Sequence, residues 1–224
     1  MVSVQIDPSL RSRMPGIIFG CVTINDLQVR ERDEKLWDAL EQLCQRLTYQ
    51  YTLDKLGADS HIAAVRGMQK AFGFDPTRYR PSSEALLRRV LKSLGIYQIN
   101  TAVDVNNWCS LEFLLPMCIY DLRMVKGQIR IRLGEAGEQY QGIGRQVFQM
   151  EGKVIVTDDE GVMGNTVSDS ERTKVTRTTR DIFLMIYAPA TCDRETIQQW
   201  TALAAQRMVE FNGGQASEAL ALTV

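Results

Sequence analysis

The spacing of apolar residues changes period several times along the chain, and each change predicts an element. GIIFGCVTI, Gly16 to Ile24, is an apolar, β-branched run between glycine and polar residues, the pattern of a buried strand. From Asp33 the period becomes helical, with Leu36, Trp37, Leu40, Leu43 and Leu47 on one face and acidic residues in the first turn. Ile62, Val65, Met68 and Phe72 predict a second helix closed by Gly73, whose missing Cβ suits a left-handed cap. FDPTRYRPSS then reads as an ordered connection. Ser82 or Ser83 is expected to cap EALLRRVLKSLG, with Leu86, Leu87, Val90 and Leu94 facing the core, Gly95 closing the helix, and Arg88, Arg89 and Lys92 pointing outward. A further helix over Ala102 to Leu115 sets Val105, Trp108, Leu111 and Leu115 on one side before Pro116 stops it.

Beyond Pro116 the period falls to two. QIRIRL (128–133) alternates, KVIVTD (153–158) is β-branched, and DIFLMIYAP (181–189) is almost wholly apolar; all three read as strands. GEAGE, GIG and DDEGVMGN read as the turns between them, as an antiparallel or mixed sheet requires. Ile197, Trp200, Leu203, Ala204 and Met208 form the apolar face of a last helix, after which GGQASEALALTV is expected to be loosely held. Helices followed by strands make an α+β protein. One compact unit over 1–224 is expected, with an N-terminal α/β part (1–80), a part that carries the motifs (81–190), and a C-terminal helix and tail (191–224).

Composition narrows the function classes. With 224 residues, 45% of them hydrophobic, the chain can hide about 70% of its unfolded surface. Its 26 basic and 27 acidic residues give a net charge of −1, which lacks the strongly positive field of a general DNA or RNA binder, so any RNA contact must be local and no DNA partner is expected. The five cysteines (Cys21, Cys44, Cys109, Cys118, Cys192) form no Cys-x-x-Cys pair, and His61, on a predicted helix, reads as structural. Neither a metal nor a cofactor is implied. The opening MVSVQIDPSLRSRMPG lacks the order of a signal peptide, and no apolar run reaches the roughly 18 residues that span a bilayer, so a cytoplasmic protein without a membrane partner is expected.

The most unusual stretch is VDVNNWCSLEFLLPMCIYD, Val103 to Asp121, which sets Asp104, Asn106, Asn107, Cys109, Glu112 and Asp121 among residues that should be buried. Polar groups kept in a core commonly shape a pocket. Asp104 reads either as a helix N-terminal cap or as a substrate contact, Asn107 and Asp121 as groups that hold a cleft in shape, and Cys118 as a small buried hydrophobe with no histidine beside it to activate the thiol. Glu171 reads as the partner of Arg172 or Lys174. Arg88, Arg89 and Lys92, and a second stripe of Arg172, Lys174, Arg177 and Arg180, read as solvated charge or as phosphate contacts.

RPSSEALLRRVLK, INTAVDVNNWCSLEFLLPMCIYDL, the QIRIR strand with its following Gly-Glu, and TDDEGVMGNTVSDSERTKVTRTTRDIFLMI occur in an order that resembles the editing domain of the bacterial phenylalanyl-tRNA synthetase beta subunit, over roughly Arg80 to Pro189. The resemblance implies a stand-alone homologue of that subunit's third and fourth modules: a three-layer fold with a sandwich-like mixed or antiparallel sheet flanked by helices, and a cleft in which the aminoacylated 3′ end of a tRNA is hydrolysed. The family's Val-Asp-Val-Thr-Asn-Tyr appears here as VDVNNW and its Gln-Pro-Met-His-Ala-Phe-Asp as LPMCIYD, so the threonine falls on Asn106 and the histidine on Cys118. These two would stand at the catalytic positions. Asp104, Asn107, Asp121 and Glu171 would contact substrate, Glu171 by reading the hydroxyl of a misplaced tyrosine, with backbone N–H groups near Gly164 as oxyanion donors. The two departures leave open a non-catalytic module that binds tRNA or an amino acid, or a pocket put to another use.

Overall fold

A computed structural model describes residues 3–224; the first two residues of the opening segment lie outside the described residues. Two sheets and a layer of helices make up its centre. The first sheet runs β1 (Val4–Ile6), β4 (Ile129–Leu133), β7 (Val154–Asp158), β8 (Gly161–Gly164), with β1 parallel to β4 and the rest antiparallel. The second is wholly antiparallel: β10 (Gln215–Ala216), β2 (Ile18–Asn25), β9 (Ile182–Ala188), β3 (Met117–Asp121), with β11 (Leu220–Thr223) also on β2. A small hairpin of β5 (Gln139–Gln141) and β6 (Val147–Gln149) stands apart. The expected mixed and antiparallel α+β architecture is what the chain forms.

The seven residues of β9 are all buried because the strand lies between β2 and β3 with both faces covered. Its two faces look at different layers. On one, Ile186 is level with Gly20 and Met117, and α6 (Arg194–Asn212) crosses so close to Gly20 that Thr201 Oγ1 stands where a side chain would begin. On the other, Tyr187 and Phe19 meet edge to face, and Tyr120 reaches towards β8 of the first sheet, where a Cβ on Gly164 would come within 2.7 Å of its hydroxyl. Helices, second sheet and first sheet are therefore stacked in that order. A separate apolar cluster joins α2 (Glu34–Gln50), α3 (Ser60–Ala71), α4 (Ser82–Leu91) and α5 (Thr101–Phe113) through Leu40, Leu43, Ile62, Leu87, Val90 and Leu111.

Four local expectations are corrected. The tail is not loose: Ala221 is buried and β11 pairs with Ile18 to Cys21, which satisfies backbone groups that would otherwise form an open edge. Leu94 lies outside the core, 59% exposed, because α4 ends at Leu91 and the chain turns at Ser93 and Gly95, both at positive φ. Neither Ser82 nor Ser83 caps that helix; Pro81 occupies the position, and Ser83 is buried. GVMG within DDEGVMGN is the strand β8 and not part of a turn. Elsewhere Gly73 takes the left-handed conformation expected of it, and His61 Nε2 lies 3.1 Å from the Phe113 carbonyl, a structural contact. Among the described residues no helix is long and apolar enough to cross a membrane.

Candidate functional site

A cleft of about 530 Å³ opens between α5, the start of α4, β3 and the loop after β8. Its apolar walls include Val103, Met117, Ile119 and Val175, and its polar groups are Asn106, Asn107, Asn165, Ser168, Asp169 and Lys174. The helix that carries the two asparagines is capped by Asn100, whose side chain accepts from the Val103 N–H at 3.0 Å. Two turns further on it is buried so thoroughly that Asn106 is only 7% exposed. The Asn106 Oδ1 nonetheless has no hydrogen-bond partner among the described residues. A buried amide left unsatisfied costs about 1–3 kcal/mol, so this atom marks where a ligand's donor is wanted.

Asp104 is fully buried and belongs behind the cleft, not in it. Its Oδ1 accepts from the Ile99 N–H at 3.0 Å and so ties the 97–99 segment, which forms one lip, to the helix. Burial pushes its pKa up to about 6, with the Ile99 hydrogen bond pulling the other way. The capping role considered for it is filled by Asn100. Asp121 closes β3 and accepts from the Thr179 hydroxyl at 2.6 Å and the Arg123 N–H at 3.0 Å, so it shapes the loop beyond the sheet.

Cys118 faces away from the cleft. Side chains alternate along a strand, and Met117 and Ile119 take the cleft side, which turns the Cys118 thiol into the layer between the sheets, 3.7 Å from the Tyr187 hydroxyl. It is fully buried there, and burial, with the Asp169 carboxyl nearby, raises its pKa well above the usual thiol value. Glu171 also lies elsewhere: it lines a shallower groove beside Glu138 and Tyr140 and forms an ion pair with Lys174, whose own side chain lines the cleft.

The group that sequence reasoning missed is Asp169. It stands in the cleft wall with its carboxyl close to the Ile119 N–H and the Tyr120 hydroxyl; burial drives its pKa up to about 8 against the pull of these two donors. Tyr120 is near enough to influence the carboxyl, yet its hydroxyl reaches no partner at hydrogen-bond geometry among the described residues. Gly164 allows this close approach, since a Cβ there would stand 2.7 Å from the Tyr120 hydroxyl and 2.9 Å from Asp169 Oδ1. In the sequence Asp169 is one polar letter in SDSER, and only the pairing of Gly164 with Asp169 brings it to the cleft.

The expected basic stripe is largely neutralised. Arg172 holds the buried Asp158 through bonds of 2.7 and 3.0 Å and reaches Glu160 at 3.3 Å; burial pushes the Asp158 pKa up, but the guanidinium wins and keeps it below the usual carboxylate range. Arg177 pairs with Glu31 at 2.8 Å, while the Arg180 side chain donates, among the described residues, to main-chain carbonyls alone. Arg88 is not outward: it binds the buried Glu84 at 2.6 Å alongside Arg66 at 2.7 Å. Arg89 lies over the Tyr97 ring, 3.7 Å from its centre. A second cavity, about 330 Å³ and mostly apolar, lies at β2 and β11 and carries none of the candidate site residues.

Layered sheets with a cleft lined by two asparagines of one helix and a carboxyl from the facing loop define this α+β domain. The chain belongs to the B3/4 domain family, whose model matches residues 64–208. It is 31% identical over 120 residues to the phenylalanine–tRNA ligase beta subunit of Bartonella henselae, covering 53% of this chain and 15% of that one, and 28% identical over 129 residues to that of Thermobifida fusca, covering 57% and 15%. The match thus spans a small part of the relatives' length. An N-terminal fragment of the phenylalanyl-tRNA synthetase beta subunit from Pyrococcus horikoshii covers 96% of this chain and 50% of its own, with 15% identity and a TM-score of 0.46.

Proposed function

We propose that this chain is an RNA-binding domain of the editing type that hydrolyses misacylated aminoacyl-tRNA in trans, a step of translation quality control. The observation that carries the reading is the buried, unpartnered Asn106 Oδ1, in a chain of the B3/4 family, at the position where the resemblance sets a catalytic residue. An aminoacyl ester is already activated, so its hydrolysis asks only for a held water and a stabilised oxyanion. The Asn106 amide can accept from the substrate's ammonium group while its NH₂ faces the ester oxygen. Asp169 is a second acceptor and, once ionised, the base for the attacking water. Cys118 has no part in this scheme, since its thiol faces the other side of β3.

Incubation of the protein with tRNAs carrying right and wrong amino acids tests the proposal: release of amino acid above the buffer rate from at least one charged tRNA is expected, and release from none refutes it. The turned-away Cys118 favours one other reading, a non-catalytic module that binds tRNA or an amino acid. In that case binding persists and Asn106→Ala leaves any residual hydrolysis unchanged.

A further inference from the structure

We propose that a basic track wrapped around α4 leads a single RNA strand, with its phosphates, into the Asn106 cleft; this rests on the function proposed above. Three concavities adjoin in sequence around that helix. The first, about 470 Å³, lies between α3 and α4 and is lined by Arg66, Lys70, Arg80 and Arg88 without an acidic residue in its wall. The second, about 390 Å³, shares Arg80 and Arg88 with it and adds Arg78, Arg89 and Lys92. The cleft itself is the third, joined to the second through Val167.

Charge and shape together favour RNA. Of the nearby acids, Glu84 is buried beneath Arg66 and Arg88, while Asp75 accepts from the Thr77 N–H and hydroxyl at 2.8 Å and keeps its charge close to Lys70. Lys70, Arg78, Arg80 and Lys92 take part in no ion pair among the described residues. Four cations without an ion pair within two adjoining grooves, against the single exposed carboxylate of Asp75, mark a local electropositive strip. Aromatic rings accompany it. Tyr79 lines the middle groove, and Tyr97, 54% exposed, lines the cleft mouth while carrying the Arg89 guanidinium on one face. Cations that follow a backbone and rings that accept bases form a single-strand platform. In the 172–180 stripe three of the four charges are paired, with Asp158, Glu171 and Glu31, which leaves Arg180 alone without an acidic partner among the described residues.

The test is the triple variant Lys70→Gln, Arg78→Gln, Arg80→Gln, all exposed positions that hold no part of the core. Affinity for deacylated tRNA should fall on the order of ten-fold, and the slope of log affinity against log salt should flatten by about 2, near 0.7 per lost contact. The double variant Arg177→Gln, Arg180→Gln should stay near the parent, and Lys70→Gln and Arg80→Gln alone should each show part of the effect should the triple variant fold poorly. Hydrolysis of a minimal aminoacyl-adenosine should be equal in parent and triple variant. Parent-like tRNA affinity and slope in the triple variant overturn the track, as does a parent that binds polyglutamate as tightly as tRNA at equal salt. Loss of all ester hydrolysis in the parent refutes the deacylase reading instead, and leaves the track to be judged on tRNA binding alone.

Discussion

Replacing Asp169 by asparagine should stabilise the protein in alkali and leave it almost unchanged in acid. The carboxyl has its pKa raised to about 8 by burial, against an ordinary value of 3.8. Between those values the folded protein holds a proton that the unfolded chain releases. Stability therefore falls as pH rises through this window and is flat above it. At 1.36 kcal/mol per pKa unit the full gap sets a ceiling of about 6 kcal/mol on the alkaline penalty. Asp169 is half-buried in the wall of an open cleft, so solvent screening brings the figure to about 3 kcal/mol. The amide of Asp169→Asn keeps the shape and carries no charge, so it removes that penalty. Urea denaturation of parent and variant at intervals from pH 4 to pH 9 measures it: the curves should come together near pH 4, where the unfolded carboxyl also begins to hold its proton, and differ by about 3 kcal/mol at pH 9, the variant being the more stable. Parallel curves across the range would show that Asp169 ionises in the folded state as it does in water, and the case for a perturbed carboxyl in the cleft would be lost.

Three further outcomes follow from the same geometry. Asn106→Ala should keep its fold by circular dichroism yet lower aminoacyl ester hydrolysis by about 10²-fold, the usual loss for one oxyanion donor. Arg172→Ala should cost about 3 kcal/mol or more in urea denaturation, because it strands the buried Asp158 carboxylate, whereas removing a solvated surface charge costs under 1. Glu171→Ala should leave the ratio of tyrosyl to phenylalanyl ester hydrolysis unchanged, since that carboxylate lies in a separate groove; a changed ratio would return Glu171 to the substrate.

Elements with strong local patterns were legible in the sequence. The apolar run at 182–188, the alternation at 129–133 and the heptad-like leucines of α2 each specify their own structure, because burial period is a local property. What was hidden depends on partners distant in the chain. LALT at 220–223 carries little strand signal of its own and becomes a strand because β2, some two hundred residues earlier, offers it a free edge. Asn106 and Asn107 could be found, since polar residues within an apolar helix are anomalous wherever the helix goes. Asp169 could not, because one acidic residue in the polar loop NTVSDSER is unremarkable until the pairing with Gly164 and the contact with Tyr120 bury it. For Cys118 the position alone pointed towards the cleft, while strand alternation turned the thiol to the other face.

Whether the Asn106 cleft hydrolyses an aminoacyl ester is read from deacylation of a full set of charged tRNAs by the parent protein and by Asn106→Ala. Release from at least one mischarged tRNA by the parent is expected, and release lower by about 10²-fold by the variant. Release from no charged tRNA, or equal release by parent and variant, would contradict it.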